Sequence, residues 1–118
     1  MYTFDQLKED VRKEAEALKV HATKEELGKL RIRVLMPDNP NKCIYGLMCG
    51  DCYNERAEFL KNKCTMRYVS CWVISNATVI EGEGMIHYSP IEAYILQPQA
   101  KSANLIAFLK GESETLEL

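Results

Sequence analysis

An α+β single domain is the fold class this sequence predicts: a small mixed or antiparallel β-sheet packed against several helices, with a helical pair at the N-terminus. Three observations predict it. Two capped amphipathic stripes open the chain, a run rich in aromatic and β-branched residues (Tyr68, Val69, Cys71, Trp72, Val73, Ile74) lies past its middle, and two further capped apolar segments follow. The 118 residues fit one domain over 1–118, long enough to bury a core without disulfide or metal.

Thr3 with Gln6 makes a capping box, and Phe4, Leu7, Val11, Ala15 and Leu18 recur at helical spacing, so a first helix with one core-facing stripe is expected. Thr23 with Glu26 repeats the device, with Leu27 and Leu30 as the apolar pair and Ala22 placed to staple onto Leu27. Arg31 to Leu35 alternates polar and apolar, as a strand with one wet face does, and Pro37-Asp38-Asn39-Pro40 breaks it. The segment from Cys43 to Cys52 reads as an irregular loop, after which Asp51 or Asn54 starts a helix through Leu60. Thr65 to Ser75 is the candidate central strand. Ala77–Ile80 and Met85–Tyr88 flank Glu81-Gly82-Glu83-Gly84 as a hairpin. Ser89-Pro90-Ile91-Glu92 combines an N-cap serine, a proline at the first helical position and a glutamate at the third, predicting a short helix to about Gln97. Ser102 caps another through Leu109, ended by Gly111, and Thr115–Leu118 reads as an edge strand.

Composition narrows function by exclusion. With 47% apolar and 27% charged residues the chain is ordinary for a globular protein, and a net charge of −2 supplies no basic field for nucleic acid. A local patch of Arg31, Arg33, Lys42, Arg56, Lys61, Lys63 and Arg67, with Tyr45 and Tyr53 for stacking, is diluted by acidic neighbours. Nucleic acid is therefore not the expected partner. No segment approaches the roughly 20 apolar residues of a membrane span, and the first residues lack a signal-peptide pattern, so a cytoplasmic protein is expected.

The five cysteines carry the chemistry worth weighing. Cys43, Cys49, Cys52 and Cys64 offer four thiolates to zinc, but only Cys49 and Cys52 have the two-residue spacing by which one turn presents two sulfurs to a tetrahedral ion. Cys49 and Cys52 before a helix also form a candidate redox pair, since a helix N-terminus favours thiolate, although Asp51 between them opposes that field. A Cys52–His87 nucleophile is a thinner variant, with no marked third group. Packing competes with all of these. Tyr53, Ala57, Leu60 and Cys64 form one helical stripe that extends back to Cys49, and Cys71 lies in the candidate strand, leaving Cys43 and Cys52 unassigned.

The run Cys43-Ile44-Tyr45-Gly46-Leu47-Met48-Cys49-Gly50-Asp51-Cys52-Tyr53-Asn54-Glu55-Arg56-Ala57, together with the tail Ser89–Leu118, resembles small uncharacterised bacteriophage-encoded proteins. That resemblance implies a small protein that binds a host or phage partner in the host cytoplasm, and it carries over no residue role. The expected function is accordingly non-enzymatic, acting by protein–protein contact or self-association without a cofactor. Tyr45, Leu47, Met48 and Tyr53 on an exposed loop would be the anchors, because aromatic and soft apolar side chains serve interfaces well. The alternative is a small zinc-binding or thiol-redox protein using Cys43 to Cys64.

Overall fold

The computed structural model describes residues 4–36, 39–64, 71–75, 78–81, 89–95 and 102–118. Their core is built by helices. Helix α1 (Phe4–His21) is its axis, with Phe4, Leu7, Val11, Ala15 and Leu18 buried along one stripe as the spacing predicts. Thr3, proposed as its cap, lies outside the described residues. Helix α2 (Lys24–Gly28) starts at the predicted capping box: Glu26 N–H donates to Thr23 Oγ1 at 3.0 Å and Thr23 N–H to Glu26 Oε1 at 2.9 Å. Helices α3 (Ile44–Cys49), α4 (Glu55–Cys64), α5 (Pro90–Ile95) and α6 (Ser102–Leu109) complete the helical set. α4, α5 and α6 pack on α1, while α3 lies between α2 and α4.

Several starts and stops follow the sequence closely. Asn54 Oδ1 accepts from Ala57 N–H at 2.9 Å, opening α4. Ser89 and Glu92 form the capping box of α5, and Phe4 stacks on Tyr94 at 5.8 Å between centroids to join α5 to α1. Gly111, at φ +82°, ends α6, whose exposed Phe108 carbonyl accepts from Lys19 Nζ at 2.9 Å.

Among the described residues the expected α+β sheet packed against helices is not seen. Strands β1 (Cys71–Ser75) and β2 (Thr78–Glu81) form a two-stranded antiparallel ribbon, and the described core is mostly helical, with Leu30, Cys43 and Leu116 added from outside the helices. β1 falls within the run read as a central strand, but the ladder puts Ser75 opposite Thr78, so β1 and β2 are paired with each other, earlier than the hairpin read around Gly82 and Gly84. The second arm of that hairpin, Met85–Tyr88, lies outside the described residues. Arg31–Leu35 is no strand: Val34 N–H closes a turn on Arg31 O at 3.2 Å and Met36 N–H bonds Lys42 O at 2.8 Å. Alternation alone does not make a strand when no neighbour takes up its ladder. Thr115–Leu118 is also irregular, held by Arg12 Nη1 on Leu116 O at 3.0 Å and by Glu117 N–H on Asn104 Oδ1 at 2.7 Å. Among the described residues no helix is long and apolar enough to cross a membrane.

Candidate functional site

The cysteine segment is a helix folded against its own lead-in, not an open loop. Cys43 and Lys42 N–H groups both bond Asn39 O, turning the chain into α3. Cys43 then acts as N-cap, its Sγ accepting from Gly46 N–H at 3.3 Å and lying 3.9 Å from Pro40 O. Gly46 sits so close to this lead-in that a Cβ on it would stand 2.2 Å from Pro40 O and 2.7 Å from Asn41 C. Only glycine fits that approach. Gly50, at φ +94°, stops the helix and reverses the chain, and Asn41 Nδ2 holds its carbonyl at 2.9 Å. The returning strand of chain brings Cys52 N–H onto Pro40 O at 2.9 Å, while Lys61 Nζ takes Cys52 O. Cys43 and Cys52 thereby converge on one carbonyl, and, after burial, the Cys52 thiol adds to the rise of the Cys43 thiol pKa.

Beneath α3 lie two buried carboxylates that satisfy helix N-termini. Glu92 accepts from Ser89 N–H at 3.1 Å and, through its other oxygen, from Ile44 N–H at 3.2 Å, so one side chain serves the first turns of both α5 and α3. The Cys43 thiol also acts on it, favouring the carboxylate. Glu14, on α1, accepts from Ile91 N–H at 2.7 Å and from the Tyr45 hydroxyl. Cys64 Sγ lies 3.7 Å from that hydroxyl and 4.0 Å from Glu14 O. Burial raises the Glu14 carboxyl to about 7 against the pull of its donors, and burial likewise raises Glu92. Burial pushes the Cys43 thiol up to about 12 and Cys64 to about 11, and it raises Cys49 and Tyr45. In this site the thiols named are held protonated.

The structure redistributes the residues that the sequence singled out. Tyr45 and Met48, expected as exposed anchors, are each 1% exposed and belong to the core, because helical spacing turns them inward with Ile44. Leu47 is half-buried, and Tyr53 is 73% exposed. Tyr53 thus leaves the buried stripe that Ala57, Leu60 and Cys64 do form. Cys49 ends α3 instead of opening a helix, so the redox argument from a helix N-terminus does not apply to it. Among the described residues no group of three or more His, Cys, Asp or Glu side chains is arranged to hold a metal ion, since Cys43 meets Cys52 while Cys64 meets Tyr45 and Glu14. His87 lies outside the described residues. The residue that sequence reasoning missed is Glu14. Its signal was present: it falls seven residues after Leu7 and four before Leu18, a carboxylate on the apolar stripe.

No protein-family model matches this chain, and neither curated proteins nor solved structures match it. The chemistry of its own groups is what remains to guide function. Buried carboxylates whose oxygens are occupied by helix amides and a tyrosine are structural acceptors. Among the described residues Ile32, Val34, Met36 and Tyr53 are exposed apolar or aromatic side chains, and Cys49 and Cys52 are partly open thiols.

Proposed function

We propose that this protein acts by non-enzymatic protein contact, in the form of self-association through the irregular segment 31–36. The observation that carries this reading is the clustering there of Ile32, Val34 and Met36, at 40%, 43% and 46% exposure, interleaved with exposed Arg31 and Arg33. Contiguous apolar exposure rimmed by charge marks interaction surfaces, and methionine and arginine are interface-enriched types. Self-association is the form argued because a net charge of only −2 gives copies little mutual repulsion. The role expected of Tyr45 and Met48 passes to residues that water can reach. A phage origin, with work in the host cytoplasm, belongs to the same reading through the resemblance of the cysteine segment and C-terminal tail.

Sedimentation velocity across a hundredfold concentration range tests it. The parent chain should gain mass reversibly with concentration, and an Ile32→Ser/Val34→Ser/Met36→Ser variant with an unchanged circular dichroism spectrum should stay monomeric. A parent that stays monomeric throughout, or a variant that associates as the parent does, would overturn the reading.

A further inference from the structure

The sequence pairs Cys49 with Cys52, but the fold pairs Cys43 with Cys52. Gly50 reverses the chain after α3, Cys52 N–H lands on Pro40 O at 2.9 Å, and Cys43 Sγ approaches that same oxygen at 3.9 Å, so both cysteines gather at one carbonyl. Exposure distinguishes their roles. Cys52 is partly open to solvent, whereas Cys43 is buried as the N-cap of α3.

We propose that Cys43 and Cys52 are a thiol–disulfide exchange site, which a low-molecular-weight disulfide such as oxidised glutathione closes to an intramolecular bond. Cys52 is the entering thiol and Cys43 the resolving one. In the first step Cys52 loses its proton to water, and its sulfur attacks one sulfur of the small disulfide. An S–S bond forms to Cys52, and the other half leaves as a thiolate that takes up a proton. In the second step the Cys43 proton passes to the Glu92 carboxylate, which sits at the same first turn of α3 that Cys43 caps. The Cys43 sulfur then attacks the Cys52 sulfur and expels the second small thiolate, which takes up the proton that Glu92 releases. Two electrons pass from the protein to the small disulfide, which ends as two thiols. Burial holds the Cys43 thiol protonated until the mixed disulfide is beside it, so entry through Cys52 is favoured over entry through Cys43. The new bond would tie the chain beyond Gly50 to the start of α3 across the Pro40 carbonyl, and would leave Glu92 without the Cys43 S–H beside it.

The test is incubation of the full native chain with oxidised glutathione near neutral pH, quenching with N-ethylmaleimide, and peptide mapping by mass spectrometry. Expected are a Cys43–Cys52 linked peptide, a mass loss of two hydrogens and release of two glutathiones per chain. Cys43→Ser, which keeps an N-cap oxygen, should stop at one glutathione on Cys52, and Cys49→Ser should close as the parent does. A Cys49–Cys52 link, a parent that stops at the mixed disulfide, or a parent in which all five thiols remain alkylatable would each overturn the assignment.

Discussion

At the scale of the residue, Glu14 is the most consequential single group. A carboxylate on the apolar stripe of α1 would be costly to bury, yet it has donors in Ile91 N–H and Tyr45. Its folded-state carboxyl sits at about 7 against an ordinary 4.5, with burial the leading cause. The folded chain therefore binds more protons than the unfolded chain between those values. The associated stability is fully present below 4.5 and is lost as pH rises through about 7. Glu14→Gln should flatten the decline of unfolding free energy over that window, with a difference in slope that integrates to on the order of 3 kcal/mol by urea titration at several pH values. A variant that declines as steeply as the parent would exclude Glu14 as the titrating group. The thiols show the converse lesson. Cys43 and Cys52 had no packing explanation in the linear pattern, because their meeting depends on a reversal at Gly50 and a shared acceptor at Pro40.

At the scale of the element, α3 separates what patterning can report from what it cannot. Ile44-Tyr45-Gly46-Leu47-Met48 has a glycine at its centre and aromatic and β-branched neighbours, so its intrinsic helix preference is weak. Its N-cap is a cysteine, not one of the oxygen side chains by which helix starts are recognised. Its first amide is satisfied by Glu92, 48 residues away. By contrast α2, α4 and α5 carry local oxygen caps and were legible. Gly46 is the point where α3 and its lead-in touch, and the atoms a Cβ would strike are backbone. Gly46→Ala should accordingly destabilise the fold by about 1–3 kcal/mol in chemical denaturation, since overpacking must shift main chain. No measurable loss would mean that the lead-in can move away from α3 freely.

At the scale of the whole molecule, the helices are joined by a few long-range polar ties as well as by the core around α1. Arg56 of α4 grips Glu26 of α2 with Nε and Nη2, each at 2.8 Å, and reaches His21 O at the end of α1 at 3.1 Å. The Arg56 hydrogen bond is the main reason the Glu26 carboxyl lies at about 2 instead of 4.5. With a depressed folded value the sign reverses: this contribution is present above 4.5 and is lost as pH falls through about 2. Arg56→Ala should cost about 1 kcal/mol at neutral pH, less in high salt, and a double-mutant cycle with Glu26→Gln should return a coupling of similar size. A cycle that closes at zero would reduce the tie to a surface contact. Legible in the sequence were the stripe of α1, the part of the α4 stripe from Ala57 to Cys64, the caps of α2 and α5, Asn54 as one of two starts read for α4, and the glycine stop of α6, because each depends on neighbours within a turn or two. Tertiary structure alone decided that residues 31–35 and 115–118 are not strands, that 44–49 is a helix, that Tyr45 and Met48 are core, and that Cys43 meets Cys52. Those outcomes turn on whether a distant backbone or side chain supplies the missing hydrogen-bond partner, and no local pattern encodes that.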